Sequence, residues 1–346
     1  MDDHFIKIHK WLYPASWLYG MAVRVRNKLF DWNFFQSKNF DIPVISVGNL
    51  AVGGTGKTPA VQYFAKKLSE EGRKVAVVSR GYRGKRKVEP LIVSDGKKIL
   101  VSSRESGDEP YSHALNLKVP VIVGKDRYKA CRLAKETFGV DTIILDDGFQ
   151  HRKLARDWDV VLIDATNPFG WEALLPKGTL RESFHPAAKR ASEFIITKSD
   201  LVSEKEVEKL KRFLKGKYKK PVSTAKHGIS SLCDVDGNAK PLFWVKGKRV
   251  LLFSGLANPL NFEKTVISLD PSYIERIDFL DHHSFKEKDI DIIKKRAEEM
   301  KASYIITTEK DIVKLPKHVY IENLYILKIE FEILENNTLK CFRGAK

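Results

Sequence analysis

A chain of 346 residues, 43% of them hydrophobic, can bury a sizeable core and has room for about two domains, which excludes a disordered or collagen-like chain. Lys and Arg number 61 against 44 Asp and Glu, a formal net charge of +17, so the expected partners are anionic: phosphates, acidic membrane surfaces or nucleic acid. Cys131, Cys233 and Cys341 lie far apart without metal-ligand spacing, and any pairing leaves one thiol over, which suits a reducing cytosol.

The first distinctive element is N-terminal. Trp11 to Val23 carries no charge, yet it is too short to span a bilayer and lacks a small-residue cleavage site after a long apolar core. On a helix starting near Pro14, the residues Leu18, Met21, Ala22, Val25, Leu29 and Trp32 share one face, with Arg24, Arg26 and Lys28 on the flanks and back. With Trp11, Tyr13, Trp17 and Tyr19 near one end, residues 1–32 read as an amphipathic helix for an anionic membrane surface. Packing of the same stripe against the rest of the chain fits the pattern equally well.

Next, Pro43 to Asn49 reads as a short buried strand, Leu50 to Gly56 as a glycine-rich turn, and Lys57-Thr58-Pro59 as a helix start. That is the layout of a phosphate-binding loop. Gly53, Gly54 and Gly56 tolerate positive φ, so successive N–H groups around Thr55 can converge on a polyphosphate at the positive end of the helix. Lys57 then reaches the β- and γ-phosphates and the Thr58 hydroxyl serves Mg²⁺. The usual pattern opens with a Gly separated from the Gly-Lys pair by four residues, and here Ala51 stands in that place.

Strand-like and helix-like segments then alternate: a helix from Pro59 to Glu71, and strands at Lys74–Ser79, Val119–Val123, Thr142–Asp146, Val160–Asp164 and Phe194–Ile196. Such alternation predicts a P-loop NTPase-like α/β fold with a parallel sheet, its ligands bound beyond the carboxyl ends of the strands. Gly81 to Ile99 reads as an excursion with a hairpin around Asp95-Gly96. Thr142 to Leu145 ending in Asp146-Asp147 is the apolar strand with terminal acids on which such folds hold Mg²⁺. The same acids also suit capping of whatever follows. Arg80 at a strand end, Tyr82 beside it and Arg127 at a helix start are candidates for clamping a substrate phosphate.

Val47-Gly48-Asn49-Leu50 running into Gly53-Gly54-Thr55-Gly56-Lys57-Thr58-Pro59 is followed by Ser79-Arg80-Gly81-Tyr82, Gly107-Asp108-Glu109-Pro110 and Leu145-Asp146-Asp147-Gly148-Phe149-Gln150-His151. Leu180-Arg181-Glu182 and Asp281-His282-His283 complete the series. In that order, over most of the chain, these strings resemble the tetraacyldisaccharide 4'-kinases of lipid A biosynthesis. The resemblance implies a kinase on the cytoplasmic face of the inner membrane of Gram-negative bacteria. Such a kinase moves the γ-phosphate of ATP, with Mg²⁺, to the 4'-hydroxyl of a tetraacylated disaccharide 1-phosphate. It implies nucleotide contacts at Lys57 and Thr58, metal or phosphate duties for Asp146, Asp147 and Glu182, and Asp108 as general base. A His partner would orient that base, and His282 is the choice because it directly follows Asp281. The expected partners are then a lipid disaccharide and an anionic membrane surface, with no nucleic acid and no obligate protein partner.

Beyond about Lys226 the alternation restarts, with strands at Arg249–Ser254, Tyr273–Phe279, Ser303–Thr307 and Tyr325–Ile329. The expected organisation is a helix over 1–32, a P-loop kinase domain over 33–225 and a smaller α/β domain over 226–346. Glu204 to Lys220 reads as a solvated helix, and the residues after Asn336 as poorly anchored. The main competing function is a GTPase-type regulatory or maturation protein, because Thr197-Lys198-Ser199-Asp200 after an apolar strand resembles a guanine-reading tetrapeptide. A phosphoesterase built on Asp281-His282-His283 lacks the further acid motifs it needs, and dispersed basic residues without an aromatic RNA-binding signature argue against nucleic acid.

Overall fold

The computed structural model describes residues 11–256, 259–281, 283–316 and 319–335. The chain forms two compact units, one comprising residues up to His227 together with the segment from Phe331, the other Gly228–Glu330. The return of the chain at Phe331 is absent from the contiguous boundaries read in the sequence. Its cause is local: Phe331 is 2% exposed and packs its ring 5.9 Å from that of Tyr63 in the core of the first unit.

The first unit opens with α1 (Tyr13–Asp31). It continues through β1 (Val44–Asn49), α2 (Lys57–Glu70), β2 (Val75–Ser79), β3 (Leu91–Asp95), α3 (Ser103–Ser106), α4 (Asp108–Asn116), β4 (Pro120–Val123), α5 (Arg127–Phe138) and β5 (Thr142–Asp146). Then come β6 (Trp158–Asp164), α6 (Phe184–Arg190), β7 (Glu193–Thr197), α7 (Glu204–Tyr218) and the start of β8 (Val222–Asp234). The strands lie in the order β8, β7, β6, β1, β5, β2, β4, β3. All neighbours are parallel except β3 on β4, so the expected parallel α/β sheet is observed. The excursion contains the expected hairpin around Asp95-Gly96, with Ile99 bridging back to Ser94, and its first limb, Leu91–Asp95, also joins the sheet as an antiparallel edge strand.

Every residue of β1 and β5 is buried, which β-branched runs allow only where helices cover both faces. Alternate residues divide between the two faces. Ile45, Val47 and Ile144 pack with Ala60, Phe64 and Leu68 of α2, whereas Val44, Ile143 and Leu145 pack with Ala130, Cys131 and Ala134 of α5. Each such side chain contributes about 1.5–3 kcal/mol on burial, so the strand tips are held by the sheet's interior and not by their loops. β1 lies between β5 and β6, where successive connections run to opposite sides of the sheet. That crevice at the carboxyl edge is where open α/β sheets bind ligands.

The second unit has its own parallel strands, β10 (Arg249–Ser254) between β11 (Tyr273–Asp278) and β12 (Tyr304–Thr308), with β13 (Leu324–Ile333) on β12. The short β9 (Ala239–Lys240) pairs antiparallel with the end of β8. Leu251, Phe253, Phe285, Ile290 and Ile293 form a core with α9 (Glu287–Glu299), while Val250, Leu252, Phe262 and Val266 form another with α8 (Pro259–Ile267).

Candidate active site

The phosphate-binding loop begins as β1 ends. Ala51 bridges Leu180 in antiparallel fashion, Val52 N–H donates to Thr179 O at 2.7 Å and Arg181 N–H to Leu50 O at 2.8 Å. The first limb is therefore strand-paired, and Ala51 is absent from the positive-φ residues, which explains why no glycine is needed there. Gly53 (φ 125°) and Gly56 (φ 84°) do take the left-handed region. Beyond Gly53 and Gly54 a methyl group would meet nothing within 4 Å, so the backbone borders open space. Thr55 is pinned from beneath, its hydroxyl accepting from Asn49 Nδ2 at 2.7 Å and its carbonyl from Thr197 Oγ1 at 3.0 Å. Helix α2 starts at Lys57 with no side-chain cap on its first N–H groups, which leaves them for an anion.

Asp146 ends β5 beside this loop, 1% exposed. Ser79 Oγ donates to its Oδ2 at 3.2 Å, and His113 Nε2 lies 3.2 Å from the same oxygen. Burial pushes the carboxyl up, but His113, then Lys57 and Ser79, outweigh it and hold the group below the usual range. Arg127, at the start of α5, is 3% exposed and donates to Gly124 O at 2.7 Å. Burial, opposed by Asp146 and then reinforced by Arg80, pushes it down to about 10, so it stays charged as a counter-ion to Asp146 and Asp147. His151 is pushed down to about 4 by burial and then by Arg127 and Arg156, and is neutral at pH 7.

The other two sequence-named acids are already engaged. Asp147, at φ 52°, accepts from Arg181 Nη1 at 2.8 and 2.7 Å. Glu182 is 1% exposed and accepts from Arg190 Nη2 at 2.9 and 2.8 Å, from Asn27 Nδ2 at 2.8 Å and from Gln150 Nε2 at 3.2 Å. Removing one partner from a buried pair of this kind costs about 3–5 kcal/mol, so both oxygens of Glu182 have a structural duty in holding α1 and α6 to the loop.

Asp108 is half-buried in the first turn of α4, after Gly107 at φ 92°. A Cβ at Gly107 would stand 2.6 Å from Tyr82 O, so close approach of the two loops requires glycine there. The loops carrying Asp108 and the Arg80-Tyr82 pair are thus packed backbone to backbone. Arg80 is exposed, and Tyr82, 64% exposed, has the Arg83 guanidinium 5.6 Å from its ring centre. Beside them lies a cavity of about 430 Å³ lined by Lys85, Arg86, Lys87, Val88, Leu91, Arg104 and Glu105.

In the second unit His282 lies outside the described residues. Its neighbour His283 has Nε2 2.9 Å from Asp289 Oδ2 and its ring stacked on Phe279 at 4.8 Å. In the Thr197-Lys198-Ser199-Asp200 string, Thr197 supports the phosphate-binding loop and Lys198 pairs with Asp164.

Among the described residues no group of three or more His, Cys, Asp or Glu is disposed to hold a metal ion. Mg²⁺ does not need one, because it takes most of its shell from water and substrate phosphates and one or two protein oxygens. Thr58 and Asp146 fit that demand, since Asp146 Oδ1 is buried and has no hydrogen-bond partner. His113, Ser79, Arg181, Arg190 and Asn27 were not among the sequence candidates. Arg181 stood inside a matched string, whereas a lone His in a short helix carries no motif.

A glycine loop opening a helix at Lys57-Thr58, next to a buried carboxylate at the tip of a parallel strand, defines a P-loop phosphotransferase. Comparison with known proteins sharpens the class. Residues 8–342 match the family model described as Tetraacyldisaccharide-1-P 4'-kinase. A tetraacyldisaccharide 4'-kinase of Halothermothrix orenii is 39% identical over 91% of this chain and 87% of its own. One from Bacteroides thetaiotaomicron is 38% identical over 97% and 92%. The crystal structure of LpxK from Aquifex aeolicus in complex with ATP superposes with a TM-score of 0.76 at 32% identity, covering 97% of this chain and 99% of that one. The chain belongs to the tetraacyldisaccharide 4'-kinase family, and the GTPase alternative is not favoured.

Proposed function

We propose that this protein transfers the γ-phosphoryl group of ATP to the 4'-hydroxyl of a tetraacyldisaccharide 1-phosphate, a step of lipid A biosynthesis. The observation that carries this reading is the open phosphate-binding loop beside an ionised Asp146 with one oxygen unpartnered, in a family member. Gly53, Gly54, Thr55 and Gly56 cradle the nucleotide phosphates and Lys57 neutralises the β- and γ-phosphate oxygens. Thr58 and Asp146 would hold Mg²⁺, which would supply charge neutralisation for the transferring group, while Asp147 and Glu182 anchor Arg181 and Arg190. Asp108 accepts the proton of the 4'-hydroxyl as its oxygen bonds to phosphorus and the bond to the leaving ADP oxygen breaks. His282 stays in the proposal solely on its place in the Asp281-His282-His283 string.

Arg127 serves the carboxylates, so exposed Arg80, with Tyr82, is the better candidate for meeting the acceptor. ADP release from Mg-ATP should require the detergent-dispersed acceptor; equal hydrolysis without it would contradict the kinase reading. In the same assay Arg80→Ala raises the acceptor KM and leaves that for ATP in place, and an unmoved acceptor KM would remove Arg80 from the site.

The acceptor's acyl chains keep it in a membrane, and α1 suits an enzyme that works at that surface. Ser16 Oγ donates to Leu174 O and Tyr19 Oη to Arg181 O, each at 2.8 Å, and Gly20 is buried against Leu174. The helix thus docks by its polar and small side. Its opposite side exposes Leu18, Met21, Ala22, Val25 and Trp32, with Leu29 half-buried. No helix among the described residues is long and apolar enough to cross a membrane. The proposed site of action, from the exposed apolar side of α1 and the lipid acceptor, is the surface of the cytoplasmic face of the bacterial inner membrane. Leu18→Asp with Val25→Asp should weaken binding to anionic phospholipid vesicles about tenfold in sedimentation without changing ATP binding. Unaltered sedimentation would place the contact elsewhere. These substitutions are preferable to deleting the helix, which would strip Asn27 from Glu182.

A further inference from the structure

His113 belongs to no phosphate-binding motif, yet it is fully buried and its ring reaches the carboxylate at the tip of β5. A carboxylate that serves a metal ion carries no proton and can only accept hydrogen bonds, so in the 3.2 Å contact His113 Nε2 is the donor. Ser79 donates to the same oxygen. Both donors therefore converge on Oδ2, and Oδ1 is buried without a partner. An aspartate's terminal torsion is soft and roughly two-fold, so the carboxylate would otherwise turn with little resistance. Two donors on one oxygen remove that freedom.

We infer that His113 is a positioning residue that, with Ser79, fixes the rotation of the Asp146 carboxylate so that Oδ1 faces the Mg²⁺–nucleotide complex. The inference rests on Asp146 serving the metal. It gives α4 a second duty: the helix that presents Asp108 in its first turn also holds the metal-side carboxylate, five residues and about 7.5 Å further along. Partners of this outer kind typically alter metal affinity by about 10–100-fold when removed.

The test is binding of a fluorescent ADP analogue, titrated with and without Mg²⁺, independent of turnover. In His113→Leu the Mg²⁺ concentration that half-maximally tightens nucleotide binding should rise about tenfold or more, with metal-free affinity within about twofold of the parent. His113→Gln, whose amide N–H reaches the place of Nε2, should recover most of the loss. Ser79→Ala, which keeps the histidine, should shift the Mg²⁺ dependence the same way by less, and it stands as the test if His113→Leu fails to fold. An unchanged Mg²⁺ dependence in a folded His113→Leu protein would overturn the inference. So would an equal loss with and without metal, or a Gln variant no better than Leu. Asp146→Asn separates the two levels: if it also leaves the Mg²⁺ dependence unmoved, the metal reading of Asp146 itself fails.

Discussion

Lys57→Ala lowers phosphorylation of the acceptor about 10³-fold, the scale on which one preorganised charge at the developing transition state is felt. Lys57 opens α2 at the carboxyl edge of β1, where its ammonium is close enough to Asp146 to help keep that carboxyl ionised. Its removal takes charge from the transferring phosphoryl group and also loosens the electrostatic hold on the metal-side acid. The fold does not depend on it, because α2 is anchored by Ala60, Val61, Phe64, Ala65 and Leu68. Initial rates of product formation and a thermal melt on the same sample check both parts. Turnover near the parent rate in a folded variant would remove the loop from the chemistry.

Asp108→Asn lowers kcat by about 10³-fold with the KM for ATP nearly unchanged, since a general base is worth about 10²–10⁴ and acts mainly in the transition state. The amide keeps the size of the side chain and its ability to begin α4, so the loop geometry set by Gly107 against Tyr82 survives. Steady-state kinetics with each substrate varied separates the terms. A variant that loses ATP affinity at full kcat would make Asp108 a binding residue and leave the proton without an acceptor on this helix.

The sheet was legible wherever a strand is a β-branched run closed by polar residues. Thr142–Asp146 and Arg249–Ser254 agree at both ends, because strands buried on two faces must be apolar throughout. Val222–Asp234 went unread, as Ser, Thr, Lys and Gly interrupt its apolar pattern, and so did the return of the chain through Phe331. The phosphate-binding loop could be read since its members are contiguous and each glycine has a conformational reason. Its supports could not: His113 meets Asp146 across 33 residues, Thr197 meets Thr55 across 142 and Asn27 meets Glu182 across 155. Those meetings depend on strand order and register, which no local pattern encodes. For α1 the pattern located the apolar stripe but left open which side docks. The answer lay in Ser16, Tyr19 and Gly20, whose partners are Leu174 and Arg181.

The same division explains why the acids looked alike in sequence and differ in place. Asp146, Asp147 and Glu182 all stand near the loop, but Arg181 and Arg190 occupy the last two. Asp146 alone of the three has an oxygen that is buried and unpartnered. Charge balance follows from this arrangement. Arg127, Arg181 and Arg190 offset the carboxylates within the fold, and Lys57 and exposed Arg80 are the proposed partners of the substrate phosphates.

The most direct measurement is the fate of the γ-phosphate: incubation of the protein with γ-labelled Mg-ATP and detergent-dispersed tetraacyldisaccharide 1-phosphate, with the label located on the product by tandem mass spectrometry. Label on the distal sugar at its 4'-oxygen, absent with Lys57→Ala, is the expected result. Label released only as inorganic phosphate, or found on another hydroxyl, by a folded protein would contradict the assignment.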